Sequence, residues 1–305
     1  MKILIADSLH IEKQELESLN KVGYHTIEVF DKVSESDADV IVGSIETDEA
    51  SLMKFPNLKL LHIPHAGYDR LNLQALKDRG IILVNGKGIF SKPIAEYILG
   101  KILVWAKKDH LYYKQQNCKE WIRISKDVIE LGGKTIGILG TGSIGQETAR
   151  LLQAFGCTVL GVNTNGRSIE YFDETYAMSE MEEVLKRSDV IVCTLPLNEQ
   201  TYHLLGKKEF LAMKKEALFV NIGRGKEVNE LELIEVLDTH LSMVVLDVFE
   251  KEPLPQESPL WFHPKVVITP HSSSESDLVE RRRTKCIIEN LVRFIEKEPL
   301  ENRVV

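Results

Sequence analysis

Residues 134–145 read KTIGILGTGSIG, an apolar run that leads directly into three closely spaced glycines. Gly140, Gly142 and Gly145 have the spacing Gly-x-Gly-x-x-Gly, and an amphipathic segment that ends at Gly156 follows them at once. This pattern is typical of a strand, a tight turn and a helix. In such a unit the glycines allow the turn, the close approach of a pyrophosphate and the packing of helix on strand. Because the helix N-terminus offers free N–H groups to phosphates, we predict a dinucleotide site here; a turn used only for packing is the alternative.

Length and composition indicate a globular protein with more than one domain. The chain has 305 residues, 43% of them hydrophobic and 28% charged, which favours two domains over one large core. Its formal net charge of -8 argues against nucleic acid or an anionic membrane surface as the main partner. The start, MKILIAD, turns polar too early for a signal peptide, and no apolar run approaches the roughly 20 residues of a membrane span. The four cysteines show no CxxC or zinc-type spacing, so we expect no metal site and a reduced, cytoplasmic setting.

Short apolar runs separated by helical patterns divide the chain into two alternating regions. The first third has four predicted strands without a glycine fingerprint, and the central region has six, beginning with the stretch quoted above. This alternation predicts an α/β fold with two doubly wound parallel sheets covered by helices. We predict one long helix over 91–117, and a final helix over 276–297 that returns to the first region. The predicted domains are residues 1–95 completed by 275–305, with residues 96–274 inserted between them.

Ionisable side chains come directly after three neighbouring predicted strands of the central region. Arg224 follows one of them, Asp247, Glu250 and Glu252 follow the next, and His271 follows the last. In open α/β sheets, ligands bind outside the carboxyl ends of the strands. One arginine, one carboxylate and one histidine are therefore expected to meet in one cleft, although each of them taken singly could be a cap or a solvated charge.

An ordered set of segments runs through the central region: GTGSIG at 140–145, TLPLNEQT at 194–201, FVNIGRG at 219–225, LDVFEKEPLP at 246–255, SPLW at 258–261 and ITPH at 268–271. With these segments the chain resembles the D-isomer-specific 2-hydroxyacid dehydrogenases, a family that includes phosphoglycerate dehydrogenases and glyoxylate/hydroxypyruvate reductases. The resemblance implies a flavodoxin-like substrate domain and a Rossmann dinucleotide-binding domain. It also implies an oxidoreductase that transfers a hydride between NAD(P)H and a small 2-oxo acid, or back from a D-2-hydroxy acid.

The resemblance implies that Arg224, Glu252 and His271 are the catalytic residues. The planar donors of Arg224 can hold the carboxylate and the carbonyl oxygen of a 2-oxo acid. As an imidazolium, His271 can donate a proton to that oxygen and take it back in oxidation, while Glu252 favours the charged ring and fixes its orientation. The resemblance also implies that backbone N–H groups around Ala66 and Gly67 hold the substrate carboxylate, and that closure of the cleft excludes water.

The cofactor preference depends on the residue that ends the strand after the glycine turn. NAD-specific Rossmann sites usually have an acidic residue there, but this chain has Asn163, with Arg167 four positions on. Because Arg167 could pair with a 2′-phosphate, we expect NADP or NAD, with NADP preferred; in the alternative, Arg167 points to solvent and NAD is used. The predicted cofactor-binding residues are Gly140, Thr141, Gly142, Ser143, Ile144, Gly145, Asn163, Thr164, Arg167, Thr194, Pro196, Thr201, Ile222, Gly223, Asp247 and His271.

Two other functions remain open from the sequence. A protein of this fold could sense a dinucleotide and bind other proteins, with no dependence on turnover. A formate- or phosphite-type dehydrogenase would keep Arg224 and His271 but act on a different anion. For the leading hypothesis the expected partners are a small 2-oxo or 2-hydroxy acid and, as the resemblance implies, a second copy of the chain in a homodimer built around the central domain.

Overall fold

The structure is a computed structural model that describes residues 1–19, 26–31 and 35–305. Strands and helices alternate along most of these residues, and none of the helices in them is long and apolar enough to cross a lipid bilayer. The strands are β1 (Lys2–Ala6), β2 (Thr26–Phe30), β3 (Val40–Val42), β4 (Leu60–His62), β5 (Ile82–Val84), β6 (Thr135–Leu139), β7 (Thr158–Asn163), β8 (Glu174–Ala177), β9 (Val190–Cys193), β10 (Leu218–Asn221), β11 (Met243–Leu246) and β12 (Val266–Ile268). The helices are α1 (Lys13–Leu19), α2 (Glu49–Leu52), α3 (Leu73–Asp78), α4 (Ser91–Lys107), α5 (Asp109–Asn117), α6 (Ser143–Ala154), α7 (Met181–Arg187), α8 (Lys207–Ala212), α9 (Glu230–Leu237) and α10 (Val279–Glu296). Single 3-10 turns cover Asp7–Leu9, Met178–Glu180, Gly225–Glu227 and Pro259–Phe262.

The chain forms two compact units. The first comprises Met1–Phe90 and Ser276–Val305, and the second comprises Ser91–Glu275, so the second unit is an insertion in the first. The boundary predicted after residue 95 falls inside α4, whereas the structure assigns the whole of this helix to the second unit.

The first unit is built on a five-stranded parallel sheet in the order β2-β1-β3-β4-β5, which is the flavodoxin-like order. Helices cover both faces, so the central strands are apolar on both sides. On one face α10 contributes Ile287 and Leu291, which pack with Ile3 and Val40 in one cluster. The last helix begins three residues later than predicted, since α10 starts at Val279 and not at residue 276.

The second unit is built on a seven-stranded parallel sheet in the order β12-β11-β10-β9-β6-β7-β8. The chain runs outward from β6 through β7 and β8, and then returns to the other side of β6 with β9. This reversal is the switch point of a Rossmann sheet, where ligands bind outside the carboxyl ends of the strands. The segments that follow β6, β9, β10, β11 and β12 therefore share one edge of the sheet.

Each sheet contains one strand that was not predicted from the sequence. β2 pairs only with β1 and β8 pairs only with β7, so both are edge strands. Neither has a buried residue, whereas β9, β10 and β11 are buried throughout. An exposed edge strand needs no continuous apolar run, so the pattern that identified the central strands is weak in both.

The single helix predicted over 91–117 is two helices in the structure. α4 ends at Lys107, Lys108 has a left-handed φ of 62°, and α5 begins at Asp109. A residue in this conformation ends a right-handed helix, so the chain changes direction here. α4 buries a broad face that includes Ile98 and Ile102, whereas α5 has no buried residue.

His62 ends β4 inside the core of the first unit and is fully buried. Its Nδ1 lies 3.2 Å from the carbonyl oxygen of Ile63. Burial lowers the pKa of His62 from its ordinary value of 6.5 to about 4, because a charged imidazole loses its hydration in this core. The folded unit therefore holds His62 neutral at physiological pH.

We predict that the stability of the first unit depends on this histidine in mildly acidic solution. As the pH falls from 6.5 towards 4, the unfolded chain protonates His62 and the folded chain does not. The free energy of unfolding should therefore fall through this window by about 3 kcal/mol in total. Urea unfolding of the whole protein across the window measures it. In His62→Leu this component should be absent, and in the exposed control His10→Asn it should be retained. Equal pH slopes in wild type and His62→Leu would contradict the assignment.

Candidate active site

The three glycines after β6 have different environments, which show what each one does. A Cβ on Gly145 would lie 2.2 Å from the Gly140 carbonyl oxygen, and a Cβ on Gly140, where φ is 102°, would lie 2.7 Å from Thr194 Oγ1. These two glycines are therefore required for the turn and for packing of α6 on the sheet. A Cβ on Gly142 would meet no atom within 4 Å, so the backbone there faces open space.

The start of α6 beside this open space has the donors that a pyrophosphate needs. Gly142 is the N-cap and provides no side-chain acceptor, and the Gln146 N–H donates to the Gly142 carbonyl oxygen at 2.8 Å. The N–H groups of the first turn therefore point out of the helix end, where negative charge is favoured. The hydroxyl oxygen of Thr141 is buried and has no hydrogen-bond partner among the residues that the structure describes. Open backbone, free donors and this hydroxyl fit the diphosphate of a dinucleotide.

At the end of β7, Asn163 organises the turn that leads to Arg167. The Asn163 side-chain amide donates to the Arg167 carbonyl oxygen at 2.9 Å, and its oxygen accepts from the Asn165 N–H at 3.2 Å. Arg167 Nη1 in turn donates to the Asn165 side-chain oxygen at 3.2 Å, and the arginine is exposed. This strand end carries a neutral amide and a nearby cation in place of the usual acidic residue.

The segment after β9 is closed by Thr201. Its hydroxyl donates to the Pro196 carbonyl oxygen at 2.7 Å and accepts from the Asn198 N–H at 2.8 Å, and the residue is buried. Thr194 Oγ1 donates to the Gly140 carbonyl oxygen at 2.8 Å, which ties this segment to the glycine turn. In the structure both threonines shape the backbone on either side of the switch point.

Arg224 lies in the turn after β10, where one hydrogen bond holds its backbone and another holds its side chain. The Arg224 N–H donates to Glu227 Oε2 at 3.1 Å, and its Nη1 donates to the Gly223 carbonyl oxygen at 2.8 Å. Gly225 permits the closest approach in this region, since a Cβ there would lie 1.8 Å from the carbonyl carbon of Phe249. The arginine turn is therefore packed directly on the backbone of the segment that follows β11.

Asp247, the first residue after β11, shapes the turn that carries His271. Its buried carboxylate accepts from Thr269 Oγ1 at 2.6 Å and from the N–H groups of Ser272 and Ser273 at 2.9 Å and 3.0 Å. The His271 N–H donates to the Asp247 carbonyl oxygen at 2.9 Å, and His271 has a left-handed φ of 51°. These bonds hold a conformation that a histidine rarely adopts on its own.

A tyrosine on α4 supports the same turn. The hydroxyls of Tyr97 and Thr269 lie 2.6 Å apart, and burial raises the pKa of Tyr97 to about 12. The phenol therefore stays protonated and hydrogen bonded over the working pH range. Tyr97 was not predicted as a site residue, because no local pattern in an amphipathic helix distinguishes a tyrosine with this role from one that only packs.

His271 and Glu252 form the contact on which the chemistry of the site depends. His271 Nδ1 lies 2.9 Å from Glu252 Oε2, and Glu252 Oε1 accepts from the Phe249 N–H at 3.1 Å. The carboxylate is thus held at one end by the backbone and holds the imidazole at the other. Both side chains are partly exposed, with 51% and 39% of their surface accessible, so Nε2 can exchange a proton with a ligand.

The structure brings the three predicted catalytic residues onto adjacent loops of the second unit. Arg224 is packed on the segment after β11, Glu252 belongs to that segment, and His271 is bonded to both ends of it. Glu227, which fixes the Arg224 backbone, was missed. Its position three residues after the arginine is a capping pattern that could have identified it. Within the described ranges, no three His, Cys, Asp or Glu side chains are grouped so as to hold a metal ion.

The predicted carboxylate-binding loop lies in the first unit. The Asn85 amide donates to the Ala66 carbonyl oxygen at 2.7 Å, and His65 Nδ1 lies 2.7 Å from the Gly67 carbonyl oxygen. The His65 carbonyl oxygen accepts from the Gly86 N–H at 2.9 Å. The N–H groups of Ala66 and Gly67 meet no acceptor in the part of the chain that the structure describes. The loop therefore has its carbonyls bound and its donors available.

Comparison with known proteins identifies the family. Residues 99–273 match the model of the D-isomer specific 2-hydroxyacid dehydrogenase NAD binding domain. The chain belongs to the D-isomer specific 2-hydroxyacid dehydrogenase family. The family resemblance, the two-domain α/β fold and the Rossmann domain are thereby confirmed, and the second unit is a nicotinamide-dinucleotide-binding domain of an oxidoreductase family.

Several members of this 2-hydroxyacid dehydrogenase family are similar along most of the chain. D-3-phosphoglycerate dehydrogenase of Methanocaldococcus jannaschii is 29% identical over 317 residues, covering 100% of this chain and 59% of that protein. The chain thus spans about three fifths of the length of that relative. Glyoxylate/hydroxypyruvate reductase B of an Enterobacter species is 32% identical over 276 residues, covering 88% of this chain and 85% of that protein. Among solved structures, an NADPH-dependent glyoxylate/hydroxypyruvate reductase from Sinorhizobium meliloti, in complex with NADP and sulfate, has a TM-score of 0.82 at 28% identity over 99% and 98% of the two chains.

We predict that Gly142→Ala weakens dinucleotide binding without unfolding the protein. The added Cβ enters open space where the pyrophosphate approaches, and the φ of -73° at Gly142 is one that alanine adopts freely. The stability cost should be below about 1 kcal/mol, and the dinucleotide Kd should rise about tenfold or more. Gly145→Ala is the matched control, because its Cβ meets the Gly140 carbonyl oxygen and should lower stability by about 1 to 3 kcal/mol. Thermal unfolding and fluorescence titration measure the two effects. An unchanged Kd in Gly142→Ala would place the diphosphate elsewhere.

Proposed function

We propose that this protein is a reductase of small 2-oxo acids, or in reverse a dehydrogenase of D-2-hydroxy acids. The observation that carries the proposal is the 2.9 Å contact between His271 Nδ1 and Glu252 Oε2, on the segment against which the Arg224 turn is packed. Membership of the family supports the reaction class. The same three residue types supply an anion binder, a proton donor and a carboxylate that orients the donor.

Arg224 and His271 have different roles towards the substrate: Arg224 binds it and His271 donates a proton to it. The guanidinium of Arg224 binds the carboxylate and the carbonyl oxygen of the 2-oxo acid and polarises the carbonyl bond. A reduced nicotinamide, when bound at the glycine turn, supplies the hydride that bonds to the carbonyl carbon. As negative charge develops on the oxygen, His271 Nε2 donates a proton to it, which completes the hydroxyl group.

Glu252 acts through His271. Its Oε2 accepts from the Nδ1–H of the imidazolium, which leaves the Nε2–H as the proton for transfer. After transfer the same hydrogen bond fixes the neutral tautomer with Nε2 as acceptor, and this is the form needed for the reverse reaction. We further propose that the N–H groups of Ala66 and Gly67 donate to the same substrate carboxylate that Arg224 binds.

The function is tested by turnover with a panel of acids. Glyoxylate, hydroxypyruvate, pyruvate and a branched 2-oxo acid are each mixed with NADPH and with NADH, and loss of nicotinamide absorbance is recorded. Wild type should reduce at least one acid, and His271→Gln should lose about a hundredfold or more in kcat with dinucleotide affinity retained. His263→Gln, the same change at a histidine whose Nε2 lies 3.4 Å from Asp238 and not from Glu252, should keep wild-type rates. Full activity in His271→Gln would overturn its assignment, and dinucleotide binding without turnover of any acid would favour a sensor.

We further propose that NADP(H) is the preferred cofactor. The end of β7 carries Asn163 in place of a carboxylate, so no negative charge at this strand end repels a 2′-phosphate. Arg167 is exposed four residues further on, and its guanidinium is oriented by Asn165. A 2′-phosphate could take over the donors of this guanidinium in a charge-assisted pair.

Arg167→Ala should weaken NADPH far more than NADH. Loss of one charge-assisted pair should raise the Kd for NADPH about tenfold or more, while NADH, which has no 2′-phosphate, should change little. Arg150→Ala is the control, since Arg150 is an exposed arginine of α6 that pairs with Glu147 at 2.7 Å. Titration of wild type, Arg167→Ala and Arg150→Ala with each dinucleotide measures the ratio of the Kd for NADPH to the Kd for NADH. Equal losses for the two dinucleotides in Arg167→Ala would remove the basis for this preference.

A homodimer is the proposed assembly. α5 has no buried residue, and five large apolar side chains on it or just after it are exposed: Leu111, Tyr112, Tyr113, Trp121 and Ile122. Exposed apolar side chains concentrated in one segment of a chain are typical of an interface. A monomer mass at sedimentation equilibrium would overturn this proposal.

A further inference from the structure

Two acidic residues outside the proposed catalytic set are bonded to each other in a reciprocal way. Glu230 is the first residue of α9, and Glu250 lies in the segment after β11. The Glu230 N–H donates to Glu250 Oε1 at 2.9 Å, and the Glu250 N–H donates to Glu230 Oε1 at 2.7 Å. Each carboxylate therefore binds the backbone of the other residue, and the two elements are locked together by two charge-assisted hydrogen bonds.

A histidine from a third crossover completes this cluster. His203 Nε2 lies 3.3 Å from Glu250 Oε2, and the imidazole stacks on the ring of Tyr202 with centroids 4.2 Å apart. The His203 N–H donates to the Lys226 carbonyl oxygen at 2.8 Å. Segments that follow β9, β10 and β11 are thereby joined at one point.

The pair is maintained against an electrostatic cost. Burial is the largest influence on the carboxyl group of Glu230 and raises its pKa, and the negative charge of Glu250 adds to this rise. The hydrogen bond from the Glu250 N–H, and to a smaller extent His203, lower the pKa of Glu230 and oppose the effect. Two carboxylates brought together at a half-buried position would normally separate. The two backbone N–H groups that the carboxylates accept from offset part of this cost and hold the two residues together.

That backbone is the one on which the proposed catalytic residues depend. The Phe249 N–H, one residue before Glu250, donates to Glu252 Oε1 at 3.1 Å. The Phe249 carbonyl is packed on Gly225, next to Arg224, with no room for a Cβ. A displacement of Glu250 would therefore move the carboxylate that holds His271 and the support of the Arg224 turn together.

We propose that the Glu230–Glu250 pair, with His203 against Glu250, is a positioning device that sets the orientation of Glu252 and, through it, the imidazole of His271. The role of His271 as proton donor rests on the proposed function, whereas the coupling of the Glu230–Glu250 pair to the orientation of Glu252 and His271 does not. Glu230, Glu250 and His203 are positioning residues, because they act through the segment 247–252 and not on the substrate.

Three substitutions at one position separate positioning from folding. Glu230→Ala removes the acceptor of the Glu250 N–H, and Glu230→Gln keeps an acceptor oxygen but removes the charge. Glu230→Asp keeps the charge but moves the carboxylate away from the Glu250 N–H by the length of one methylene group. This variant replaces Glu230→Ala in the measurements if the alanine variant does not fold. Glu235→Ala is the matched control, since Glu235 is an exposed glutamate of the same helix that pairs with Lys207 at 2.7 Å.

The first measurement is the ¹⁵N chemical shift of His271 Nδ1 in the whole protein without substrate, assigned by its loss in His271→Gln. Glu252→Gln defines the shift of an imidazole that has lost its carboxylate. Glu230→Ala, or Glu230→Asp in its place, should move the signal towards that value, and Glu230→Gln and Glu235→Ala should leave it at the wild-type position. A wild-type signal in Glu230→Ala and Glu230→Asp, accompanied only by a lower Tm, would overturn the proposal.

The second measurement is kinetic, on a 2-oxo acid that wild type reduces. Glu230→Ala should lower kcat about tenfold with little change in dinucleotide Kd, because a small misplacement of a reacting group slows the chemical step. Glu230→Gln should restore most of the rate. A protein that reduces no 2-oxo acid but shows the Nδ1 displacement would refute the proposed function and keep the positioning role. Turnover of a 2-oxo acid, with the Nδ1 signal undisturbed in Glu230→Ala and Glu230→Asp, would support the proposed function and refute the positioning role.

Discussion

The buried carboxylate of Asp247 is the interaction on which the arrangement of the site depends. Asp247 is the residue that follows β11, and its carboxylate accepts hydrogen bonds from the Thr269 hydroxyl and from the N–H groups of Ser272 and Ser273 after β12. A buried carboxylate that accepts several hydrogen bonds has its polar atoms satisfied, so the cost of burying it is compensated locally. Through these bonds the turn that presents His271 is fixed to the neighbouring strand, and the left-handed conformation of this histidine is held by its surroundings.

Around this carboxylate the parallel sheet does most of the positioning. The carboxyl ends of the strands share one edge because the strands are parallel, and the reversal of strand order between β6 and β9 opens a crevice at that edge. Short segments then supply different groups from adjacent places: helix donors after β6, Arg224 after β10, Glu252 after β11 and His271 after β12. The segment after β11 is central among them, since its backbone and side chains contact the segments on both sides.

The parts of the fold that the sequence predicted are those in which local pattern and tertiary structure agree. The glycine turn at Gly140–Gly145, the buried central strands and the order of the motifs all have a signature within a few residues. β2 and β8 were missed because edge strands need no apolar run, and the break at Lys108 was missed because no glycine or proline marks it.

In the candidate site, residue types at strand ends predicted Arg224, Glu252 and His271, and the contacts place them on adjacent loops. The supporting residues Glu227, Tyr97 and Glu230 could not be found in this way. Their importance lies in partners that are distant in sequence, such as Tyr97 and Thr269, or in a backbone group that no side-chain pattern reveals. A carboxylate that binds a backbone N–H is indistinguishable in sequence from a solvated one.

The insertion of one unit into the other sets the order in which parts of the chain become available during synthesis. All residues of the second unit, 91–275, leave the ribosome before α10, which supplies Ile287 and Leu291 to the core of the first unit. The nucleotide-binding unit can therefore complete its sheet while the first unit still lacks one covering helix. Until that helix arrives, the apolar face formed by Ile3, Val40 and their neighbours is only partly covered, so the nascent first unit is the part of this chain that chaperones would protect.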